Sequence, residues 1–152
     1  MSEYKLTEGI IQLSASNIWD VAKLEWNLSE VYEAEEQETC LCGHYPIIEI
    51  CVLQNKITKK STIVGNCCVK KFIGLPSDKI FQAVKRVRKD DTKSLNIEAI
   101  RHAFEKRWIN EWEYNFSLNT MRKRKLTVKQ LQTRQKINEK MLFNMKRSTK
   151  LR

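Results

Sequence analysis

The five cysteines of this 152-residue chain all fall within the 29 residues from Cys40 to Cys68, and one of its two histidines, His44, stands among them. This cluster restricts the possible folds, because cysteines gathered at the turns of a hairpin are typical of zinc sites with four tetrahedral ligands. The two simpler alternatives are buried free thiols and a disulfide framework. The confinement of every cysteine to one short segment favours the metal site.

The cysteine segment predicts a β-hairpin with a pair of cysteines at each end. The apolar run of residues 47–53 predicts one strand, and residues 63–65 return the chain to the second pair. Neighbouring side chains in a strand point to opposite faces, so Cys67 and Cys68 bind one ion together only if the backbone turns there. The Gly-Asn pair that precedes them permits such a turn.

Six side chains of this segment are possible metal ligands, and five of them are retained as candidates. These are Cys40, Cys42, His44, Cys67 and Cys68. The preferred ligands are Cys40, Cys42 and Cys68, with either His44 or Cys67 as the fourth. The expected structural ion is Zn(II). Cys51 lies within the apolar strand and is expected to pack as a small hydrophobic residue.

The order of these features resembles a treble-clef-like zinc finger, and is similar to a motif in small uncharacterised proteins of phages and other bacterial mobile elements. The resemblance covers about a quarter of the chain, from C-x-C-G-H at residues 40–44 to V-G-N-C-C-V-K-K-F at residues 64–72, which opens a helix. It implies structural zinc and no catalytic activity. The zinc-site positions that it implies are Cys40, Cys42, Gly43, Gly65 and Cys68, with Phe72 packing on the hairpin. The chain departs from the pattern in lacking C-x-x-C at both corners.

Charge is divided unevenly along the chain. Residues 1–76 carry 7 Lys and Arg against 10 Asp and Glu, whereas residues 77–152 carry 21 against 8. This asymmetry predicts an anionic partner for the C-terminal half, and nucleic acid, either DNA or RNA, is the first expectation. The candidate phosphate contacts are Lys85, Arg86, Arg88 and Lys89 in one segment and Arg122, Lys123, Arg124 and Lys125 in another.

Apolar periodicity predicts helices outside the cysteine segment. The first expected helix covers residues 18–31. The second begins at Ser77 and has a buried stripe of Ile80, Ala83, Val84 and Val87. The third runs from Ser94 or Asn96 to Trp112, and the fourth begins at a capping box of Thr127 and Gln130. Trp108 and Trp112 are assigned to the core, and base stacking is the alternative. The acidic residues 33–38 are read as a solvated helix end or loop, or as a cover for the basic half.

The expected fold class is mostly α with a small zinc-clamped β-hairpin, that is, a treble-clef-like finger embedded in helices. Residues 1–38 are expected to form an acidic N-terminal helical segment, residues 39–74 the zinc-finger-like hairpin module, and residues 75–152 a basic helical region. The three are expected to make one compact domain. Its C-terminal end either follows a phosphate backbone or stays mobile until it does.

No arrangement typical of an enzyme is found in the sequence. His44 is a candidate ligand, His102 is read as structural, and neither a phosphate-binding loop nor H-E-x-x-H is present. The sequence shows no signal peptide and no apolar run of about 18 residues, which predicts a cytoplasmic protein with no membrane contact. No small-molecule substrate is inferred.

The sequence therefore predicts a zinc-stabilised nucleic-acid-binding accessory protein that uses its basic C-terminal helical face, and the resemblance points to a mobile element as its source. The alternative is a protein-interaction module, such as an adaptor or an inhibitor of a host nucleic-acid-processing system, because zinc fingers serve both purposes. The third hypothesis is an enzyme, either a nuclease or a thiol-dependent one.

Overall fold

The computed structural model describes residues 3–147, and within them the chain forms seven α-helices and four β-strands. The prediction of a mostly α protein is confirmed only roughly, because the strands form a four-stranded sheet and not a lone hairpin. The last five residues of the C-terminal end, 148–152, lie outside the described residues.

The chain divides into two compact units. The N-terminal unit runs to Asp78 and includes Arg147, and the helical unit is Lys79–Lys146. The elements up to the first boundary are α1 (Glu3–Gln12), α2 (Trp19–Ala22), a 3₁₀ turn (Lys23–Glu25), β1 (Trp26–Glu38), β2 (Ile47–Asn55), β3 (Ser61–Gly65), α3 (Asn66–Cys68) and a π-helical turn (Val69–Ile73). After them come α4 (Ser77–Lys89), α5 (Ile97–Glu105), α6 (Glu111–Thr120), α7 (Val128–Met145) and β4 (Lys146–Arg147).

The sheet has the strand order β3-β2-β1-β4. β2 pairs antiparallel with β3, with Cys51 opposite Val64, so the predicted hairpin is confirmed. β1 pairs antiparallel with the other edge of β2, with Tyr32 opposite Ile50. The hairpin therefore forms one side of a larger sheet that the cysteine pattern did not reveal.

The helix predicted over residues 18–31 is confirmed only in its first part, where α2 and the 3₁₀ turn cover residues 19–25. It is wrong from residue 26 onward, because Trp26–Glu38 is a 13-residue strand. The pairing of β1 shifts between Leu28 and Glu30, which leaves Ser29 as an extra residue. Such a bulge breaks the two-residue alternation that identifies a strand, and the apolar spacing then imitates a helix. The acidic residues 33–38 accordingly lie in a strand and not in a helix end or loop.

Both faces of the sheet are buried. Tyr32, Ile50 and Val52 form a cluster on one face. Val31, Leu53 and Val64, which lie in the opposite phase of the alternation, are fully inaccessible on the other face. Burial of an aliphatic side chain of this size is worth about 1.5–3 kcal/mol, so the two buried faces supply much of the stability of this unit.

The last described strand is joined to the sheet through Arg147. Its guanidinium lies 4.5 Å from the centroid of the Tyr32 ring, and its Nη2 lies 3.3 Å from Glu30 Oε1. A cation over an aromatic ring is stabilised more strongly when the pair is shielded from water, and Tyr32 is fully buried. Arg147 thus ties the chain after α7 to β1.

Glu25 organises the entry to the sheet. Its carboxylate accepts hydrogen bonds from the backbone N–H groups of Ala15 at 2.7 Å and Ser16 at 2.9 Å, and from Asn55 Nδ2 at 3.0 Å. Its backbone carbonyl accepts from the N–H of Lys56 at 2.7 Å. The Asn55 hydrogen bond, followed by the one from Ala15, holds the pKa of this carboxyl below its ordinary value.

Several of the helix boundaries predicted after the cysteine segment are confirmed. α4 begins at Ser77, and its predicted stripe of Ile80, Ala83, Val84 and Val87 is buried. Asn96 caps α5 by accepting a hydrogen bond from the Ala99 N–H. The Thr127–Gln130 capping box is present at the start of α7.

The single helix expected up to Trp112 is wrong, since α5 ends at Glu105 and α6 starts at Glu111. Arg107 has a φ of 61°, a left-handed conformation that stops a helix, and Asn110 starts the next helix with its own capping box. The core assignment of Trp112 is also wrong, because 63% of its surface is exposed. Trp108 is half-buried and contacts the buried His102 edge-on, with ring centroids 5.3 Å apart.

We expect Glu25→Gln to reduce the free energy of unfolding at neutral pH and to weaken its dependence on acid. The pKa of Glu25 is lower in the folded state than the ordinary 4.5, so the unfolded chain takes up this proton first. Its contribution is therefore present above pH 4.5 and is lost as the pH falls through the folded-state pKa.

Urea denaturation of the wild type and the variant between neutral pH and about pH 3 measures this difference, which should shrink as the pH falls. Glu35→Gln, at an exposed position of β1, is the control. A stability difference that stays constant with pH would show that the Glu25 charge does not contribute.

Candidate functional site

Three of the five predicted ligands converge in the N-terminal unit. The sulfur atoms of Cys40, Cys42 and Cys68 all lie within 4.8 Å of one another, and the three side chains are almost inaccessible. Cys40 Sγ and Cys68 Sγ are 3.8 Å apart. Two sulfurs bound tetrahedrally at 2.3 Å from a zinc ion would be about 3.8 Å apart, so this spacing fits a shared ion.

The cysteines are free thiols, which excludes a disulfide framework for the described chain. The 3.8 Å between Cys40 Sγ and Cys68 Sγ is well beyond the bond length of about 2.05 Å. Three buried thiols at this spacing could hold a metal ion.

The knuckle at residues 40–44 owes its shape to Gly43. Gly43 has a φ of +91°, which side chains rarely tolerate, and its N–H donates to the Cys40 carbonyl at 2.8 Å. The N–H of Cys40 in turn donates to the His44 carbonyl at 3.0 Å. This turn directs the sulfurs of Cys40 and Cys42 to the same side.

Backbone amides point at the Cys40 sulfur from both ends of the hairpin. The N–H of Gly65 donates to Cys40 Sγ at 3.2 Å, and the N–H of Cys42 donates to it at 3.5 Å. A Cβ at position 65 would lie 3.3 Å from Ile47 Cγ2, so glycine allows this close approach. N–H donors of this kind stabilise a thiolate and orient it for a metal.

Burial acts against ionisation of the same thiols. It is the largest cause that raises the pKa of Cys40 and of Cys68, and the neighbouring sulfurs add to the effect. Three anionic sulfurs at this distance require a positive charge between them. A bound cation would supply that charge and displace the protons, so metal binding and thiol ionisation would occur together.

The fourth ligand is not fixed by the geometry. His44 and Cys67 are both exposed, and both line the cavity of about 170 Å³ that the three buried cysteines also line. Neither belongs to the cluster of sulfurs within 4.8 Å of one another. Phe72, which the resemblance places against the hairpin, is half-buried.

Cys51 is separate from the cluster, as predicted. It is fully buried in β2, and burial raises the pKa of its thiol to about 12. It therefore packs as a core residue and serves as an internal control for the other cysteines.

α1 contacts the knuckle closely, which the sequence did not indicate. A Cβ on Gly9 would lie 2.9 Å from Leu41 Cγ, so the helix backbone approaches the Leu41 side chain. The N–H of Leu41 donates to the Ile63 carbonyl at 3.1 Å. The knuckle is therefore held between α1 and β3.

The helical unit contains a cleft of about 720 Å³ that we call the basic cleft. Of the twelve described residues that line it, seven are basic and none is acidic. The basic ones are Arg86, Lys93, Arg122, Lys123, Arg124, Lys125 and Arg134. They come from α4, α7 and the loops that precede α5 and α7.

The basic cleft unites parts of the two predicted groups of phosphate contacts. All four residues of the 122–125 loop line it, and from α4 only Arg86 does. The other three α4 candidates, Lys85, Arg88 and Lys89, are exposed but do not line it.

The sequence does not identify Lys93 and Arg134 as candidate phosphate contacts, because neither belongs to a run of basic residues. Arg134 donates from Nη1 to the Thr92 carbonyl at 3.2 Å and from Nη2 to the Thr120 carbonyl at 2.7 Å. Burial, and to a lesser degree the charge of Arg86, lowers the pKa of Arg134. The two guanidinium groups repel each other, and an anion between them would relieve the repulsion.

One wall of the basic cleft is held rigidly by α7. Asn138, which is almost fully buried, donates from Nδ2 to the carbonyls of Asp91 and Lys93, both at 2.8 Å. Gln135 Nε2 donates to Asp91 Oδ1 at 3.1 Å. These hydrogen bonds fix the loop that carries Lys93 before any ligand is bound.

Comparisons with protein-family models, with curated proteins and with solved structures found no match to this chain. The resemblance to a treble-clef-like finger therefore stays a prediction. Among the described residues, no helix combines the length and the apolar character that a membrane span requires.

We expect Cys40→Ser and Cys68→Ser each to lower metal content and thermal stability together. Loss of a structural metal lowers the free energy of unfolding by several kcal/mol. For a chain of this size, such a loss lowers the midpoint of thermal unfolding by about 10 °C or more. Native mass spectrometry and calorimetry measure the two quantities.

Cys51→Ala is the matched control for these two variants. It removes one buried sulfur outside the cluster, so metal content should stay unchanged and the stability loss should be about 1 kcal/mol. Wild-type metal content in both serine variants would remove Cys40 and Cys68 from the site.

We expect one of the variants His44→Ala and Cys67→Ser to lower zinc affinity at least about 10- to 100-fold, which is the cost of losing an outer-shell partner. The other should leave the affinity unchanged, because a closed structural site needs one more ligand. Competition with a chromophoric chelator measures the affinity. The charge-transfer absorption of the Cd(II)-loaded protein then counts thiolates, four if Cys67 binds and three if His44 binds. Unchanged affinity in both variants would contradict a fourth ligand from this pair.

Proposed function

We propose that this protein binds nucleic acid through the basic cleft and that Cys40, Cys42 and Cys68 hold a structural zinc ion in its N-terminal unit. The observation that carries the first part is the gathering of seven basic side chains, with no acidic one among the described residues, around one concave surface. Lys and Arg contacts to phosphates account for most nonspecific binding to nucleic acids.

Several properties of the basic cleft favour a polyanion over a single small anion. The four side chains of Arg122–Lys125 are exposed and can follow a run of phosphates, whereas Arg134 is partly buried and held by two carbonyls. The cleft thus has a fixed positive group at its floor and adaptable ones at its rim. This arrangement suits a chain of phosphates, which carries affinity but little sequence information.

We propose zinc over other metals because the three donor atoms are cysteine sulfurs. Thiolates are soft ligands that favour Zn(II) over the hard cations Mg²⁺ and Ca²⁺, and zinc readily accepts tetrahedral sulfur sites. The ion would link the knuckle to Cys68 at the end of α3 and so close the hairpin at its open end. We assign it a structural role because the three sulfurs are buried.

Fluorescence anisotropy of the zinc-loaded protein with labelled single-stranded DNA, duplex DNA and RNA tests the nucleic-acid part. Binding should weaken steeply with salt, since each neutralised phosphate contributes about −0.7 to the logarithmic salt slope on single strands and about −0.9 on duplex DNA. Seven contacts would give a slope of about −5 on single strands. Absence of binding to all three at low salt would refute this function and direct the search to an acidic protein partner.

We expect replacement of Arg122–Lys125 by alanine to weaken binding about tenfold or more for unrelated sequences and to reduce the single-strand slope by up to about 3. The control removes the same number of charges at exposed positions outside the basic cleft, by alanine at Lys56, Lys60, Lys71 and Lys136. Equal losses in both variants would mean that net charge, and not the cleft, determines affinity.

A further inference from the structure

One face of α6 carries an aromatic pair, the exposed Trp112 and the half-buried Phe116, that leads toward the basic cleft. Trp112, Phe116 and Thr120 are spaced by four residues and therefore lie on one side of the helix. Trp112 and Phe116 are stacked, with ring centroids 5.4 Å apart and planes at 14°. The carbonyl of Thr120 accepts the Arg134 hydrogen bond at the floor of the cleft.

The aromatic pair and the basic cleft are contiguous within the helical unit. Phe116 lines a narrow crevice together with Ser94 and Arg134, and these last two residues also line the basic cleft. At a rise of about 1.5 Å per residue, Trp112 and Thr120 are about 12 Å apart along the helix. A strand whose phosphates occupy the cleft can reach Trp112 within a few nucleotides.

The exposure of Trp112 is not explained by packing. Its surface is 63% exposed, and one ring face is already covered by Phe116. A large exposed aromatic side chain beside a positively charged groove is the arrangement by which proteins bind single strands, with bases stacked on the ring and phosphates in the groove.

We infer that Trp112 and Phe116 form a base-stacking platform and that the nucleic acid held in the basic cleft is single-stranded. This inference rests on the proposed function. Bases in a duplex are already stacked on each other and present no free face to a tryptophan, so the platform favours single strands over duplexes. Stacking needs only a π face, and it therefore tolerates any base.

The charges around α6 are compatible with a single strand that runs from the basic cleft to Trp112. The carboxylate of Glu113 forms an ion pair with Lys140, whose Nζ lies 2.6 Å from Glu113 Oε2. Glu111 is exposed but is offset from Trp112 by about 100° around the helix. The phosphates are thus directed to the basic cleft, while the neighbourhood of Trp112 offers an apolar surface to a base.

The test compares Trp112→Ala, Trp112→Phe and the control Phe143→Ala in the full-length, zinc-loaded protein. Phe143 is an aromatic residue of α7 with 82% exposure, and it lines none of the cavities described above. The probes are a labelled single-stranded DNA of mixed sequence, the corresponding RNA and a DNA duplex. Each is titrated at several salt concentrations.

We expect Trp112→Ala to weaken single-strand binding about 5- to 150-fold, the range for loss of one stacked base, without changing the salt slope or duplex binding. Trp112→Phe should retain most of the affinity but lose most of the tryptophan quenching that single strands cause in the wild type. Phe143→Ala should behave as the wild type.

The outcomes separate this inference from the proposed function. Wild-type single-strand affinity in Trp112→Ala, with weakened binding in the Arg122–Lys125 variant, would overturn the platform and leave the cleft intact. An equal loss for duplex and single strand would also overturn it, since that pattern indicates a general structural effect. Failure of the wild-type protein to bind any probe would overturn both.

Discussion

The two ends of the β2–β3 hairpin meet at three buried sulfur atoms, and the packing of the N-terminal unit converges on that point. Cys40 and Cys42 precede β2, Cys68 follows β3, and the Gly65 amide points at the Cys40 sulfur across the gap. β1 pairs with the hairpin on one edge, and α1 contacts the knuckle at Leu41. A change that displaces the knuckle would therefore disturb both the pairing of β1 with the hairpin and the packing of α1.

The parts of this structure that could be predicted from the sequence are those set by local chemistry. Gly43 permits the knuckle turn, Asn96 and Thr127 cap their helices, and the apolar run of β2 identifies the hairpin. Each signal lies within a few residues of the feature that it predicts.

The errors arise where local patterns are misleading. The bulge at Ser29 hides the alternation of β1, and the apolar spacing that continues from α5 to Trp112 hides the left-handed Arg107 between two helices. The basic cleft depends on tertiary structure, because Arg134 becomes part of it only when α7 packs beside the loops at residues 90–94 and 121–126. No single-sequence pattern distinguishes this arginine from the other basic residues of α7.

The path of the chain between the two units has a consequence for the order of folding during synthesis. The chain leaves the N-terminal unit after Asp78 and returns to it at Arg147, so the helical unit is an insertion within the other. The edge strand β4 and the Arg147–Tyr32 contact thus cannot form until the whole insertion has left the ribosome. Until then the part of the β1 edge that pairs with β4 stays open, and a nascent chain in that state is exposed to pairing with other strands at this edge.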